Sequence, residues 1–332
     1  MSILSSRRYP VARFALAVLL ALAGALVAPS AEAAPRPYFR VGSFPYGIAI
    51  TPNGSDVYVA CAGDGRLFVV DAATRKVTGR VWAGSQPTDV AITPDGRRAY
   101  VTNLGTWSSS GSVYVFDTAT NKQTGHISAG EGPLGLAITP DGRRVYVANA
   151  FSDTVSVIDT TTDKVVADIK VGSTPTEVVM SPDGRRVYVA NAGYGTPTSL
   201  SVIDTATDKV VGWPGRIGNF TYGLAVTPDG HHLYVTDQVG TVSVVDTRTG
   251  KVTGGPIPVG WHAKDVVVSA DGRRAYVTNE SSESVTVIDT STGKVLDTLH
   301  LGAHPTRITL APDGRHAYIT LAQNGAVWVL DL

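Results

Sequence analysis

The sequence predicts an all-β fold, a seven-bladed β-propeller, and two observations carry this prediction. The first is a phrase that occurs seven times: an apolar run, a turn of the Pro-Asp-Gly type, and a second apolar run centred on Tyr. Its turn glycines are spaced by 42 or 46 residues and are Gly54, Gly96, Gly142, Gly184, Gly230, Gly272 and Gly314. Repeats of roughly 40–45 residues that contain four short strands are typical of propeller blades. The second observation is that the two ends of the chain complement each other.

Each repeat predicts four strands, A to D, and the third repeat shows them clearly. Strand A is predicted at 136–138, strand B at 145–148, strand C at 154–158 and strand D at 165–169. The strands are apolar at nearly every position, which is expected when both faces of a sheet are covered by neighbouring sheets.

The ends of the chain predict how the ring closes. Residues 38–43 align with strand D of the other repeats, whereas residues 326–331 align with strand C and no strand D follows them. Pairing the N-terminal strand with the last strand C would complete the seventh blade and leave no open edge.

The first 33 residues predict a signal peptide. Arg7, Arg8 and Arg13 precede an apolar segment at 14–27, and Ala31 and Ala33 provide a small-x-small cleavage site. We therefore expect a single propeller domain at 34–332 that is secreted, displayed at the cell surface or periplasmic. An uncleaved membrane anchor is the alternative, although the apolar run is short for a span. The twin arginines leave the export route open between the general secretory and twin-arginine pathways.

Composition limits the classes of partner. Residues 34–332 contain 25 Lys and Arg against 27 Asp and Glu, a formal net charge of −2. This balance makes a nucleic acid an unexpected partner. Cys61 is the single cysteine, so no internal disulfide is expected. We expect a monomer.

The repeat resembles that of the YVTN β-propeller family. The family's core phrase ends at Asn103, Asn149, Asn191 and Asn279, each preceded by Tyr-Val-Thr or Tyr-Val-Ala, and its Val-Ile-Asp-Thr phrase ends at Thr160, Thr205 and Thr290. The resemblance implies the propeller fold and a secreted, periplasmic or surface protein, and it implies no particular activity.

Residues that depart from the repeat are the candidates for function. The third residue of strand A varies between blades and is Gly47, Asp89, Gly135, Glu177, Gly223, Asp265 and Arg307 in order. If these side chains point inward, three carboxylates surround the channel mouth beside Arg307, where they can bind a polar ligand, an amine or a divalent cation. The alternative is that each acid caps a loop amide or pairs with a basic residue.

Two histidines occur just before strand A in adjacent blades, at His262 and His304. Together with Asp265 they are the candidates for general acid–base catalysis or metal binding. No metal site is assigned with this pattern, because solvated loop histidines explain it better.

Aromatic residues cluster in the loops of the same face. Those expected around the mouth are Phe44, Tyr46, Trp107, Phe151, Tyr194, Phe220, Tyr222 and Trp261. Exposed aromatic rings around a concavity suit a small molecule, a glycan or a protein partner, although inter-blade packing would explain some of them.

The opposite face carries a pair of basic residues after most turns, such as Arg97 and Arg98. Each pair follows the Asp of its own turn and lies near the Asp of a C–D turn, which is Asp117, Asp159, Asp204 or Asp289. This predicts a ring of salt bridges (a crown) rather than a nucleic-acid site. The sequence thus favours a secreted binding platform that uses the channel mouth formed by the D–A and B–C loops. The alternative is an enzyme, a lyase or lactonase-type hydrolase, that uses a carboxylate and a histidine at the same mouth.

Overall fold

Seven four-stranded antiparallel sheets follow one another around a central channel. The structure is a computed structural model and describes residues 37–105, 111–193, 198–212 and 217–332. Pro37–Leu332 form one compact unit. The first strand of each sheet contacts the first strands of both neighbouring sheets, which places seven strands A around the channel. The predicted fold is confirmed.

The strands are numbered in chain order and grouped by blade. Within each blade they are given in the order A, B, C and D. Strand β1 is Tyr38–Arg40. Blade 1 contains β2 (Pro45–Ile50), β3 (Asp56–Cys61), β4 (Arg66–Asp71) and β5 (Lys76–Trp82). Blade 2 contains β6 (Pro87–Ile92), β7 (Arg98–Asn103), β8 (Ser112–Asp117) and β9 (Lys122–Ser128). Blade 3 contains β10 (Pro133–Ile138), β11 (Arg144–Asn149), β12 (Thr154–Asp159) and β13 (Lys164–Lys170). Blade 4 contains β14 (Pro175–Met180), β15 (Arg186–Asn191), β16 (Ser199–Asp204) and β17 (Lys209–Gly212).

The remaining blades follow the same plan. Blade 5 contains β18 (Thr221–Val226), β19 (His232–Asp237), β20 (Thr241–Asp246) and β21 (Ile257–Pro258). Blade 6 contains β22 (Ala263–Val268), β23 (Arg274–Asn279), β24 (Ser284–Asp289) and β25 (Lys294–His300). Blade 7 contains β26 (Pro305–Leu310), β27 (His316–Leu321) and β28 (Ala326–Asp331), with a short 3-10 helix at Ala322–Asn324. Its fourth strand is β1.

The repeated turn phrase is explained by its hydrogen bonds. In blade 2 the Asp95 carboxylate accepts hydrogen bonds from the Thr93 hydroxyl at 2.6 Å and from the Arg97 amide at 3.0 Å. Gly96 then adopts a φ of 73°, a left-handed conformation that glycine enters without a steric penalty. These contacts reverse the chain between strands A and B.

The core lies between blades, and in several blades the repeated tyrosine hydrogen-bonds to the next blade. Tyr100 is fully buried, and its hydroxyl donates to Asp163 of the following blade at 3.0 Å. Tyr146 donates to Asp208 in the same way, also at 3.0 Å. A buried ring with a satisfied hydroxyl packs well and leaves no polar group unpaired. The tyrosine therefore fixes the spacing of adjacent blades.

The seventh blade is closed by the N-terminal strand, as the sequence predicts. In β1, Tyr38 pairs with Trp328 of β28 and Arg40 pairs with Ala326. Phe39 is buried in the core that includes Val327. The outer edge of β28 is therefore covered by residues that are nearly 300 positions away in the sequence.

The crown on the opposite face is paired with acids of two kinds. The first basic residue of a pair lies near the acid of its own A–B turn, as expected, with Arg143 Nε 4.0 Å from Asp141 and Arg185 Nε 4.0 Å from Asp183. The second pairs across a blade boundary with an acid that was not expected, Arg98 with Asp163 and Arg144 with Asp208. Asp117, an expected partner in the C–D turn, instead accepts hydrogen bonds from the hydroxyl and amide of Thr120 within its own turn.

Candidate functional site

The third residues of the strands A form one layer inside the channel. Every strand A carries a register shift at this point, a β-bulge that adds a residue and redirects the side chain. Asp89, Glu177 and Asp265 are all more than 90% buried in this layer. They therefore lie deeper than the mouth itself.

Glycine alternates with acid in this layer because neighbouring backbones approach closely. A Cβ atom added to Gly47 would lie 2.4 Å from the Asp89 Cα, and one added to Gly135 would lie 2.9 Å from the Glu177 Cα. A Cβ at Gly223 would lie 2.6 Å from the Asp265 Cα. Each acid therefore depends on a glycine in the preceding blade.

Arg307 draws the three acids together. Its guanidinium lies 3.5 Å from Asp89 Oδ2 and 3.7 Å from Asp265 Oδ1, and its Nη1 pairs with Glu177 Oε2. The two aspartates also accept backbone hydrogen bonds. Asp89 Oδ1 receives the Val90 amide at 2.9 Å, and Asp265 Oδ2 receives the Ile308 amide of the next blade at 3.0 Å. These contacts are those of the alternative stated from the sequence, in which the acids cap backbone amides and pair with a basic residue, and a ligand site in this layer stays a prediction.

Burial shifts the ionisation of this cluster. Desolvation raises the pKa of Glu177 to about 8, since the attraction of Arg307 is opposed by the carboxylates of Asp89 and Asp265. Desolvation also raises the pKa of Asp89 and of Asp265, against the lowering effect of Arg307. The three carboxylates outweigh burial at Arg307 and hold the pKa of its guanidinium well above its ordinary value.

A small cavity lies between this layer and the mouth. It has a volume of about 50 Å³, and its lining includes Tyr46, Tyr222, Lys264, Glu177 and Arg307. The Lys264 ammonium lies 4.2 Å from the centre of the Tyr222 ring, an arrangement that gives a cation–π attraction. Burial disfavours the charge of Lys264, but Tyr46 and Glu280 outweigh it and raise the pKa of the ammonium.

Lys264 and its partner Glu280 were missed in the reading of the sequence. Lys264 Nζ lies 3.3 Å from Glu280 Oε2, and both side chains are mostly buried. The second residue of strand A, which precedes the variable third residue, differs between blades and contains the signal. It is Tyr46, Thr88, Leu134, Thr176, Tyr222, Lys264 and Thr306 in order, and Lys264 is the one charged residue among them. Comparing that position across blades would have found it.

Several aromatic side chains of the D–A and B–C loops are exposed. Phe44 is 59% exposed, Phe151 60% and Trp261 66%, and Phe220 is exposed to a smaller degree. Tyr46 and Tyr222 are half-buried and line the cavity instead. Trp107 and Tyr194 lie outside the described residues. We define the mouth rim as Phe44, Phe151, Phe220 and Trp261.

The two candidate histidines are engaged by different loop residues. His262 hydrogen-bonds to Gln238 at 2.8 Å and to Ser281 at 2.6 Å. His304 Nδ1 lies 3.1 Å from the Glu280 carbonyl oxygen, and its Nε2 lies 3.5 Å from Glu283. Asp265 is paired with Arg307, so within the described ranges these contacts do not join the three candidates. Nor do the described ranges contain a cluster of three His, Cys, Asp or Glu side chains that could hold a metal ion.

The fold and the charged channel define the class of this protein as a seven-bladed β-propeller with a polar layer across its channel. Residues 107–198 match the family model of the YNCE-like beta-propeller, which is consistent with the YVTN-type repeat. A solved chain of the hydrazine synthase of Kuenenia stuttgartiensis is similar, with 25% sequence identity and a TM-score of 0.79. The alignment covers 88% of this chain and 96% of that chain, and it shows the fold. A search of curated proteins found no sequence that matches.

In the part of the chain that the structure describes, no helix has the length and apolarity needed to cross a membrane.

Proposed function

We propose that the protein is a secreted binding platform that receives a ligand or a protein partner at the channel mouth. One observation carries this proposal: residues that depart from the repeat converge at a single place. Tyr46, Tyr222 and Lys264 line one cavity together with Arg307 and Glu177, and the exposed aromatic residues of the mouth rim lie in the D–A and B–C loops. Because structure alone requires only the repeat, such convergence favours a functional cause.

The size of the cavity favours a partner that is larger than the cavity. A volume of about 50 Å³ compares with roughly 30 Å³ for each molecule in liquid water. Only one side-chain-sized group can enter, so the rest of the partner must lie over the mouth rim. Aromatic residues at the centre of an interface contribute much of its binding energy, and a protein or a glycan offers enough surface to cover them.

The backbone at Phe44 is part of the repeat. Phe44 adopts a φ of 48°, and the equivalent residues Gly132, Thr174, Phe220 and His262 are left-handed as well. A left-handed conformation costs a residue with a Cβ roughly 1–2 kcal/mol, and glycine at this position avoids that cost.

Replacing rim residues is expected to weaken binding with little change in stability. Phe44→Gly removes the ring and relieves the backbone, so the free energy of unfolding should stay within about 1 kcal/mol of wild type. Combined with Trp261→Ser, it should weaken at least tenfold the binding of any glycan, peptide or metabolite that raises the melting temperature of the wild-type protein. Calorimetric titration of each such compound measures this effect.

The matched control is Arg143→Ser on the crown. The Arg143 side chain is 81% exposed, so this variant should bind each ligand as tightly as the wild type does. Ligands that bind the rim variant and the wild type equally well would place the site elsewhere.

The proposal that the protein is secreted rests on its N-terminal sequence. We expect protein recovered from the medium or the periplasm to begin near Ala34, because Ala31 and Ala33 flank the predicted cleavage site. N-terminal sequencing or intact mass measures this directly. Exported protein that begins at Met1, or protein retained in the membrane fraction, would argue against cleavage.

The enzymatic alternative, a lyase or lactonase-type hydrolase, requires a histidine and a carboxylate to act on one substrate. In the described residues His262 and His304 contact loop partners, and Asp265 pairs with Arg307. This geometry favours binding over the enzymatic alternative.

A further inference from the structure

A groove lies outside the channel, at the boundary where the ring closes between blade 7 and blade 1. One side is formed by β1 and the short 3-10 helix of blade 7, and the other by strands β4 and β5 of blade 1. Its volume is about 500 Å³, within the range of roughly 300–1,000 Å³ that is typical of small-molecule sites. We call it the closure groove.

Two exposed arginines line the closure groove from opposite sides, Arg40 from β1 and Arg80 from β5. The Arg40 guanidinium donates to the Asn324 carbonyl oxygen at 3.4 Å. The Arg80 guanidinium lies 5.5 Å from the centre of the Phe68 ring, an arrangement that gives a cation–π attraction. These contacts orient both side chains and leave their charges without an anionic partner.

The acid of the groove is engaged elsewhere. Asp64 is the one acidic lining residue of this groove within the described ranges, and its Oδ2 accepts a hydrogen bond from the Ser43 amide at 2.8 Å. None of the ion pairs among the described residues includes Arg40 or Arg80. Two guanidinium groups therefore face one carboxylate, and the groove carries an excess of positive charge.

The positions of Phe68 and Arg80 do not require this arrangement for folding. These two residues lie opposite each other in strands C and D of blade 1. The equivalent pair of blade 3 is Ser156 and Asp168, and the Ser156 hydroxyl donates to the Asp168 carboxylate at 2.6 Å. Blade 1 thus replaces a hydrogen-bonded acid with a cation on an aromatic ring.

The position of Arg40 departs from the repeat in the same direction. Arg40 and Lys170 of blade 3 each pair with the first residue of the neighbouring strand C. Lys170 lies 3.4 Å from Asp153, the residue just before that strand. In blade 7 the residue just before strand C is Gly325, which offers no carboxylate to Arg40. The repeat contains a way to neutralise each position, so two departures that meet in one groove favour a ligand as their cause.

Exposed aromatic rings flank the two arginines. Phe44 lines the groove and is 59% exposed. Trp82 is 54% exposed and lies two residues after Arg80, on the same side of β5 because side chains alternate along a strand. An exposed ring beside a guanidinium suits a ligand that joins a flat apolar face to a carboxylate.

We propose that the closure groove binds an acidic oligosaccharide built from uronic acid units. Its carboxylates accept hydrogen bonds from Arg40 and Arg80, and the apolar faces of its sugar rings lie on Phe44 and Trp82. A sugar ring is rigid, so it loses less conformational freedom on binding than the flexible side chains of an acidic peptide. This inference goes beyond the proposed function because it concerns a second site outside the channel, which shares only Phe44 with the mouth rim.

Charge and the sugar ring are tested with three probes. Calorimetric titration of the mature protein at pH 7.0 and 50 mM NaCl compares trigalacturonate with neutral maltotriose and with acetyl-triglutamate amide, which also carries three carboxylates. We expect trigalacturonate to bind about tenfold or more tightly than maltotriose, since the charged hydrogen bonds are lost in the neutral sugar. It should bind more tightly than the peptide, and its affinity should fall at 500 mM NaCl because exposed charges are screened.

Three results with these probes would overturn the proposal. The first is the absence of measurable trigalacturonate binding at millimolar concentration. The second is equal affinity for maltotriose, which would exclude recognition of the carboxylates. The third is equal or tighter binding of acetyl-triglutamate amide, which would identify an acidic peptide rather than a glycan as the ligand.

Variants locate the site. Arg80→Gln should weaken trigalacturonate about tenfold, the loss expected for a charged hydrogen-bond donor. The matched control is Arg97→Gln, which removes the same charge from an exposed arginine of the crown and should leave the affinity unchanged. Equal losses in the two variants would indicate unspecific attraction and contradict the proposal. Because Arg80→Gln gives up the contact with Phe68 and could perturb folding, Arg40→Gln is the second variant, with a similar expected loss and an unchanged melting temperature.

Two further variants test the aromatic contact and the independence of the site. Trp82→Ser should weaken trigalacturonate and leave any binding of acetyl-triglutamate amide unchanged. Trp261→Ser alters the mouth rim and should bind trigalacturonate as the wild type does, which separates a failure here from a failure of the proposed function. Unchanged trigalacturonate affinity in Arg40→Gln, Arg80→Gln and Trp82→Ser would place the sugar outside the closure groove.

Discussion

Deletion of residues 38–43 is expected to unfold the protein at temperatures at which the wild type is fully folded. The deletion removes β1, exposes the edge of β28, and takes Phe39 out of the core. Loss of a buried Phe side chain alone costs about 3–5 kcal/mol, which is a large part of the net stability of an ordinary domain. Thermal and urea unfolding followed by circular dichroism will measure the loss. An unchanged melting temperature would show that β1 does not close the ring.

Point variants separate closure from a general effect of truncation. Phe39→Ala should destabilise the protein by about 3–5 kcal/mol, whereas Phe44→Ala, five residues away and 59% exposed, should change stability by less than about 1 kcal/mol. Similar losses in both variants would mean that Phe39 does not have the core role that its burial indicates.

The Arg307→Met variant is expected to show the second large loss of stability. This change leaves Asp89, Glu177 and Asp265 buried without a positive partner. Removing one partner of a buried ion pair typically costs about 3–5 kcal/mol, so we expect a loss of this order at pH 8.5. The loss should be smaller at pH 5.5, because the carboxyl groups can then take up protons. Urea unfolding at the two pH values measures the difference.

The sign of the pH dependence follows from Glu177. Its pKa in the folded protein, about 8, lies above the ordinary value of 4.5, so the folded state binds the proton more tightly than the unfolded state does. The stability that this proton contributes is fully present below pH 4.5 and is lost as the pH rises through about 8. Arg307→Met should steepen this loss. Glu177→Gln, the matched control, should remove the contribution of Glu177 and remain folded at both pH values. Equal destabilisation of Arg307→Met at pH 5.5 and pH 8.5 would show that its charge is not what stabilises the layer.

The sequence predicts the fold well because each repeat shows the turn residues, the buried tyrosine and the strand pattern of one blade. Three features of the fold are visible as patterns along the sequence. They are the turn of Thr93, Asp95 and Gly96, the buried tyrosines, and the absence of a strand D from the last repeat. Closure by β1 could be predicted because the spare strand at the start and the absent one at the end belong to the same blade position. These are properties of chain order and spacing, which need no coordinates.

The candidate site could be predicted only in part, because depth and direction are not properties of spacing. The variable third residue of strand A identified Asp89, Glu177, Asp265 and Arg307, but the bulge beside them occurs in every strand A and so does not stand out when the repeats are compared. Nothing in the sequence shows that Glu177 and Arg307 divide the channel into two cavities. The crown partners were assigned to the nearest acids in sequence, whereas side-chain reach across a blade boundary selects Asp163 and Asp208.

The glycine–acid alternation in the channel has a consequence for how such a ring can change its size. Its unit is two blades, one with a glycine and the next with an acid, and seven is an odd number. Three such units fill blades 1 to 6, and the unmatched seventh blade contributes Arg307. A ring of six or eight blades built from the unit alone would hold only carboxylates in this layer and no cation. Blades should therefore be gained or lost in pairs, and blade 7 is the one that cannot be removed without leaving the buried acids uncompensated.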